Sequence, residues 1–181
     1  MLMRAETSSL LIVDVQERLC PVMAEPRMVI QGCVRLMAAA RELAVPLLVS
    51  EQYPKGIGPT MFDLRELAPP EAVVEKLHFS CAHEPAVMER IAAAAGRRQI
   101  VMAGIEAHVC VLQSALGLKE RGYDVFVVAD ACSSRQQANA DAAFRRMRDN
   151  GIDIVTIEMV LFEWLHRAGT PEFKRLLPLV K

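Results

Sequence analysis

The stretch "RQIVMAGIEAHVCVLQSALGLKERGYDVFVVAD", residues 98 to 130, decides the fold. Its two ends, "RQIVMAG" (98–104) and "YDVFVVAD" (123–130), are short continuous apolar runs, the form expected of strands buried on both faces of a parallel sheet. The segment between them, "VCVLQSALGLKERG" (109–122), is a candidate helix that stops at a glycine. The stretch therefore predicts a strand–helix–strand unit, whose crossover is right-handed in nearly all sheets.

The same alternation runs along the rest of the chain. Further apolar runs predict strands over residues 8–15, 45–51, 72–76 and 152–158. Helical spacing and helix-end signals predict helices over residues 27–44, 85–95 and 135–151, the last with the preceding "SS" as its cap. These units predict a doubly wound, three-layer α/β/α sandwich around a six-stranded, mainly parallel sheet. We expect one domain spanning residues 1–181, with a long irregular stretch over residues 52–70, a length that in compact domains usually indicates a functional loop.

The composition excludes several classes of protein. The net charge is −1 with acids and bases mixed along the chain, so we expect no nucleic-acid partner and no polybasic membrane patch. No apolar run approaches the roughly 18 residues of a membrane span, and the run at 10–13 is too short for a secretory leader. The five cysteines are scattered, which predicts free thiols in the cytoplasm. A hydrophobic fraction of 52% favours a buried sheet or a homo-oligomer, a dimer or larger.

Three chemically capable residues follow the predicted strands. Asp14 closes the first strand, Lys76 closes the third, and Cys110 begins the helix after the fourth. Ligands bind beyond the carboxyl ends of parallel strands. A thiol at a helix N-terminus near a lysine favours the thiolate, and a carboxylate could take its proton. Taken singly, a cysteine is more often a buried structural thiol, and an aspartate or lysine is more often a solvated charge. Because all three converge on one edge of the sheet, a catalytic role is about as probable as a structural one.

Several longer motifs resemble a known group of enzymes. The segments "LLIVDVQERL" (10–19), "VVEKLHFSC" (73–81) and "VMAGIEAHVCVLQSALGLKERGYDVFVVADACSSR" (101–135) together resemble the isochorismatase-like cysteine hydrolase superfamily. Within it, "SEQYPKGIGPT" (50–60) and "DACSSR" (130–135) are most similar to the isochorismatase domain-containing proteins, a branch of largely unassigned substrate.

The resemblance implies a catalytic triad and a mechanism. Cys110 is then the nucleophile, Asp14 the general base and acid, and Lys76 the cation that supports the thiolate. A cis peptide bond is implied at Ile105–Glu106, and the backbone N–H groups of Glu106 and Cys110 are implied as an oxyanion hole. The expected reaction is hydrolysis of an amide-type C–N bond in a small molecule through a thioester.

The departures from relatives narrow the expected chemistry. Nicotinamidases of the superfamily hold a metal with an aspartate and histidines beyond the second strand, whereas this chain has "EQYPKGIG" (51–58) there, without a histidine. The four histidines lack ligand spacing, so we expect no metal and no cofactor. Retention of Cys110 points away from the vinyl ether of isochorismate and toward C–N bonds.

Five further residues are candidates for the substrate pocket, each with a structural alternative: Gln16, Gln52, Tyr53, Phe79 and His108. Tyr53 precedes a proline and is expected to be extended. Asp130 is expected to cap "CSSR", and the other four cysteines are taken as structural. Two other functions stay open, a binding or scaffold protein that retains the triad and a thiol redox protein that uses Cys110.

Overall fold

The computed structural model describes residues 1–180 and contains one six-stranded sheet in the order β3-β2-β1-β4-β5-β6. Every neighbouring pair of strands is parallel, which confirms the predicted fold class. Lys181, the last residue of the predicted domain, lies outside the described residues. The strands are β1 (Ser8–Val13), β2 (Leu47–Gln52), β3 (Val73–Lys76), β4 (Gln99–Ile105), β5 (Asp124–Ser133) and β6 (Asp153–Val155).

Helices connect the strands and cover the sheet. They are α1 (Pro26–Glu42), α2 (Pro54–Ile57), α3 (Phe62–Arg65), α4 (Pro85–Ala93), α5 (Leu112–Glu120), α6 (Gln137–Asp149), α7 (Ile157–Leu165) and α8 (Pro171–Leu176). A π-helical turn, Ala107–Val111, precedes α5. None of the described helices combines the length and apolar character needed to cross a membrane.

The core lies at the centre of the sheet. All residues of β1 and β4 are buried, because both faces of a doubly wound sheet are covered by helices. Strand order reverses between these two strands: the chain winds outward from β1 to β3 and then returns to β4 on the other side. The crevice at such a reversal is where open α/β sheets bind ligands.

Gly104 allows the close approach of β4 to β1. Its φ is +125°, and a Cβ there would collide with the backbone of Val13. Only glycine adopts this conformation without strain and without that clash. The contact matters for function because Asp14 follows Val13, and the turn that carries Cys110 follows β4.

Several predicted boundaries were wrong for local reasons. The run at 152–158 is a strand only over Asp153–Val155, because Thr156 caps α7 by accepting a hydrogen bond from Met159 N at 3.3 Å. The predicted cap of α6 is also wrong, since its N-cap is Gln136 and makes no side-chain capping bond. Asp130 caps α7 and not "CSSR": its Oδ1 accepts from Ile157 N at 2.8 Å.

The stretch 52–70, predicted to be irregular, contains the short helices α2 and α3. It is fastened to the rest of the fold by buried polar contacts. Glu51 accepts hydrogen bonds from both the backbone N–H and the hydroxyl of Thr60, at 2.6 and 2.7 Å. These contacts hold the segment in place beside the carboxyl ends of β1 and β2.

Candidate active site

Asp14 stands at the centre of the candidate site. It directly follows β1, has a left-handed backbone with φ 53°, and its side chain is fully buried. The hydroxyl of Ser50, on the neighbouring strand β2, donates a 2.7 Å hydrogen bond to its Oδ1. Non-glycine residues held at positive φ are uncommon and concentrate at functional sites, because the surroundings must hold them there.

Lys76 ends β3 and reaches across β2 to Asp14. Its ammonium nitrogen lies 2.8 Å from Asp14 Oδ2, and both side chains are fully buried. The same nitrogen donates to Gln52 Oε1 at 2.6 Å and to the carbonyls of His78 and Phe79, each at 3.1 Å. An ammonium has three N–H groups, and these three acceptors occupy all of them. Asp14 Oδ2 is therefore in direct ionic contact with the ammonium, whose N–H groups are directed at these other three acceptors.

Cys110 approaches this pair from the other side. It lies in the π-helical turn after β4 and is 5% exposed. Its thiol is within hydrogen-bonding range of Asp14 and feels the charge of Lys76. The three residues implied as a triad therefore meet at the strand-order reversal, although they come from three different strands and lie far apart in sequence.

Burial and the partner charge shift the pKa values of Asp14 and Lys76 in different ways. Burial raises the pKa of Asp14 above its ordinary value, while Lys76 and Ser50 act to lower it. For Lys76, burial is the largest single influence and acts to lower the pKa, but Asp14 together with the neighbouring Cys81 and Cys110 outweighs it, so the pKa of the ammonium is raised. Lys76 is therefore a fixed cation, and Asp14 is the member of the pair that can change its protonation state.

The surroundings of Cys110 favour the thiol over the thiolate. Burial raises the pKa of Cys110 far above that of a free cysteine, the negative charge of Asp14 adds to this, and Lys76 only partly opposes it. This direction is opposite to the lowered pKa that we expected for a thiol at a helix N-terminus beside a lysine. Such a thiol needs a proton acceptor when it attacks, and the buried carboxylate of Asp14 lies within its hydrogen-bonding range.

The turn between β4 and Cys110 contains a cis peptide bond at Ile105–Glu106. The side chain of Glu106 is held by Arg135, whose backbone N–H and Nε both donate to Oε2 at 3.1 Å. Within residues 1–180, the backbone N–H of Glu106 makes no hydrogen bond to a protein acceptor. This amide is one of the two that the resemblance assigned to the oxyanion hole.

Two of the candidate pocket residues have their amides occupied within the protein. Gln16 is fully buried; it donates to the carbonyls of Gln52 and Gly58 and accepts from Gln52 N at 2.8 Å. Gln52 binds Lys76 through Oε1 and donates through Nε2 to the carbonyl of Leu77 at 2.9 Å. Both side chains organise the site, since every polar atom of each makes a hydrogen bond within the protein, while one Nε2 hydrogen of Gln52 has no acceptor among residues 1–180.

The other three pocket candidates are nearer to solvent. Tyr53 is 52% exposed, and the prediction that it is extended was wrong: its φ of 39° and ψ of 63° are left-handed, since it is the N-cap of α2. Phe79 is also exposed, and its carbonyl, not its ring, contacts Lys76. His108 is half-buried, with Nδ1 at 2.9 Å from the hydroxyl of Ser134. A cleft of about 350 Å³ beside β3 has Tyr53 and Lys76 among its lining residues.

Sequence reasoning missed Ser50 and Cys81. The Cys81 thiol lies 3.6 Å from the hydroxyl of Ser50, which in turn binds Asp14, so Cys81 belongs to the site and is not an incidental core thiol. The signal for Ser50 was available: it lies two residues before Gln52 on the same strand and therefore on the same face. No cluster of three or more His, Cys, Asp or Glu residues suited to a metal is found in the described part of the chain.

Comparison with known proteins identifies the family of this chain. Residues 8–159 match the family model described as the isochorismatase domain. The chain belongs to the isochorismatase family. It is 36% identical over 178 residues to isochorismatase domain-containing protein 2A of Mus musculus, a match that covers 97% of this chain and 84% of that protein. It is also 36% identical to the secreted isochorismatase effector Isc1 of Phytophthora sojae, with coverage of 97% and 85%.

Solved structures of isochorismatase-like proteins share the fold. A Caenorhabditis elegans protein described as MAR1 ribonuclease superposes with a TM-score of 0.92 at 33% identity, over 99% of this chain and 92% of that one. The YcaC gene product of Escherichia coli, described as an octameric hydrolase of unknown specificity, has a TM-score of 0.92 at 23% identity, with coverage of 99% and 90%. The family relationship thus supports a hydrolase of this superfamily.

Proposed function

We propose that this protein is a cysteine hydrolase that cleaves an amide-type C–N bond of a small molecule through Cys110, Asp14 and Lys76. The observation that carries the proposal is the unsatisfied Oδ2 of a buried carboxylate next to a buried, protonated thiol. A general base must lie within hydrogen-bond reach of the proton that it removes and must have a free lone pair for it. Asp14 meets both conditions.

The acylation step follows from these contacts. Sγ of Cys110 attacks the carbonyl carbon while its proton passes to Asp14 Oδ2, and the oxyanion is held by the N–H groups of Glu106 and Cys110. The tetrahedral intermediate collapses, the C–N bond breaks, and the leaving nitrogen takes the proton from Asp14. The product is a thioester on Cys110 and a neutral amine or ammonia.

Deacylation uses the same carboxylate. Water attacks the thioester carbonyl and gives a proton to Asp14, the C–S bond breaks, and the proton returns from Asp14 to the sulfur. Lys76 keeps its charge throughout, because its three N–H groups are held by fixed acceptors. It stabilises the transient thiolate without exchanging a proton, and no step requires a metal or a cofactor.

The experiment is a search for the acyl-enzyme. The protein is incubated with a panel of small amides and carbamoyl compounds, and intact mass is recorded along with amine release. We expect a mass increase on the Gln99–Lys119 tryptic peptide, in which Cys110 is the one cysteine. Cys110→Ala should lose the adduct and at least about 10³-fold of the turnover, whereas Cys20→Ala, a buried thiol elsewhere, should keep both. Turnover at the wild-type rate by Cys110→Ala would overturn the proposal.

A ribonuclease function is the alternative raised by the description of the C. elegans neighbour. The burial of the triad favours a small substrate over RNA, and the net charge of −1 offers little attraction for a polyanion. Incubation with structured and single-stranded RNA tests this choice. Cleavage that depends on Cys110 and exceeds amide turnover would replace the small-molecule proposal.

The scaffold and redox alternatives make different predictions for Cys110. A scaffold protein would tolerate Cys110→Ala with unchanged partners and no acyl adduct. A redox protein would form a sulfenic acid or disulfide with peroxide and be restored by a thiol reductant. Retention of the full hydrogen-bond network around Asp14 favours the hydrolase, since neither alternative needs an open carboxylate oxygen.

We further propose that the protein forms homo-oligomers in the cytoplasm. Leu2, Met159 and Phe162 are exposed apolar residues that line one shallow cleft, which a second copy would cover. All five cysteines are free, as suits a reducing compartment. Light scattering after size exclusion should give a multiple of the chain mass, and a species of one chain's mass would overturn the oligomer.

A further inference from the structure

Strand β2 lies between the strands that carry the charged pair. Asp14 follows β1 and Lys76 ends β3, and β2 separates them in the sheet. Ser50 and Gln52 are two residues apart on β2, so their side chains point to the same face, toward the pair. Both are buried, at 0% and 7% exposure. The two uncharged side chains therefore occupy the space through which the carboxylate and the ammonium interact.

Each of them satisfies a different half of the ion pair. Ser50 gives its only hydroxyl hydrogen to Asp14 Oδ1 at 2.7 Å. The hydroxyl oxygen accepts from Cys81 Sγ at 3.6 Å, which orients the hydrogen toward the carboxylate. Gln52 accepts from Lys76 at 2.6 Å and thereby occupies the N–H group that would otherwise be free to turn to Asp14.

We propose that Ser50 and Gln52 are positioning residues that distribute the hydrogen bonds of the Asp14–Lys76 pair so that Oδ2 alone stays open to accept the proton of Cys110. Without Gln52, an N–H group of the ammonium, whose nitrogen already lies 2.8 Å from Oδ2, would be free to donate to that oxygen and would compete with the Cys110 thiol for it. Without Ser50, Oδ1 would lose its donor and the carboxylate would hold a proton more readily. This inference rests on the proposed function, because it assigns Asp14 as the base.

Removing Ser50 and removing Gln52 should shift the pKa of Asp14 in opposite directions. A merely structural role of the two residues would not produce such opposite shifts. Loss of the Ser50 hydrogen bond disfavours the ionised carboxylate and raises its pKa, whereas a new hydrogen bond from Lys76 favours it and lowers the pKa. A general loss of packing would slow the reaction of Cys110 but would not move its pH dependence in two directions.

The test is the rate of alkylation of Cys110 by iodoacetamide between pH 4.5 and 8, measured on the Gln99–Lys119 peptide by mass spectrometry in the full-length protein. Trypsin separates this peptide from Leu77–Arg90, which contains Cys81, so the two thiols are followed independently. The acid limb of the profile reports protonation of Asp14. Asp14→Asn is included because it should abolish that limb.

We expect Ser50→Ala to move the midpoint of the acid limb up by about one pH unit and Gln52→Met to move it down by a similar amount. Ser50→Thr keeps the hydroxyl and should restore the wild-type midpoint. Ser9→Ala, which removes a buried strand hydroxyl without a hydrogen-bond partner, should leave the profile unchanged.

Two outcomes overturn the inference, and they can be told apart. If Asp14→Asn removes the acid limb while Ser50→Ala and Gln52→Met keep the wild-type midpoint or move it in the same direction, the positioning roles are wrong and Asp14 remains the base. If Asp14→Asn leaves the limb in place, or if folded wild-type protein does not alkylate at Cys110 at all, the proposed function fails and the inference fails with it.

Discussion

The carboxyl edge of the sheet, where the parallel strands end, and the amino edge, where they begin, differ in how their buried polar groups are hydrogen-bonded. At the carboxyl edge, Asp14, Lys76, Ser50 and Gln52 are joined by short contacts of 2.6–2.8 Å that leave one carboxylate oxygen open. At the amino edge, a larger cavity of about 760 Å³ is lined mainly by apolar side chains, and the hydroxyl of Ser9 beside it has no hydrogen-bond partner. The larger cavity and the coupled charged groups therefore lie at opposite edges, and the coupled charged groups mark the candidate active site.

The largest expected effect comes from breaking the ion pair at the carboxyl edge. Lys76→Met should lower the free energy of unfolding by about 3–5 kcal/mol near neutral pH, because it leaves the buried charge of Asp14 without a partner. Asp14 then has a pKa raised further by burial, so the folded state binds its proton more tightly than the unfolded state does. The deficit should thus be small at low pH and grow as the pH rises through the pKa of Asp14 in the folded variant.

Denaturant unfolding of Lys76→Met from pH 4 to 8 measures this dependence. The matched control is Asp14→Asn combined with Lys76→Met, which removes both charges and should recover most of the lost stability. A deficit that does not change with pH would mean that lost packing of the lysine stem, and not the unpaired carboxylate, causes the destabilisation.

The buried thiols predict a loss of stability at alkaline pH. Burial raises the pKa of Cys20 to about 11 and that of Cys132 to about 12, and raises the pKa values of Cys33, Cys81 and Cys110 as well. A pKa that is higher in the folded state stabilises the protein below the unfolded pKa and destabilises it above. Stability should begin to fall near pH 8.5–9, by up to about 1.4 kcal/mol per pH unit for each thiol.

Thermal unfolding between pH 7 and 10.5 checks this expectation. Cys110→Ala should reduce the slope by the contribution of one thiol, and Cys33→Ala, which removes a buried thiol far from the charged pair, should do the same. Equal slopes in wild type and both variants would show that ionisation of other groups dominates alkaline unfolding.

The pH dependence of Cys110 alkylation shows whether its surroundings favour the thiol or the thiolate. Because burial and Asp14 raise its pKa, the alkaline rise in iodoacetamide alkylation should have its midpoint above the value of about 8.5 that is typical of free cysteine. Asp14→Asn should lower that midpoint by about one unit, since the carboxylate charge opposes the thiolate. A wild-type midpoint well below 8.5 would mean that the thiolate is the resting form and that Asp14 is not needed to deprotonate it.

The alternation of strands and helices could be predicted from the sequence because both faces of a doubly wound sheet are buried, which makes each strand a continuous apolar run. The start of α7 could not, since Ile157 continues the apolar run of β6 and only the side chain of Thr156 marks the boundary. Tyr53 has a left-handed conformation that the following proline disfavours, and hydrogen bonds of its backbone to Lys76, Gly56 and Ile57 hold it there.

Some features of the candidate site could likewise be predicted from the sequence, and others could not. Asp14, Lys76 and Cys110 could be singled out, because each follows a strand and all the carboxyl ends of parallel strands meet at one edge. The position of Ser50 on the same strand face as Gln52 was a usable signal. Its bond to Asp14 could not be predicted, since it depends on strand register: Ser50 lies opposite Val13, the residue before Asp14, and no local pattern encodes that pairing. The raised pKa of Cys110 was missed for a similar reason, because the degree of burial follows from the packing of the whole sheet.

The smallest effect concerns two serines on adjacent strands. Ser50→Ala should lower the free energy of unfolding by about 1–2 kcal/mol, because it leaves Oδ1 of a buried carboxylate without its donor. Ser9→Ala should leave stability unchanged or raise it by up to about 1 kcal/mol, because its buried hydroxyl has no partner to lose. Parallel urea unfolding curves at pH 7 measure both. Equal losses would mean that the Ser9 hydroxyl is satisfied in solution, by water in the adjoining cavity, and that the amino edge is as polar in its bonding as the carboxyl edge.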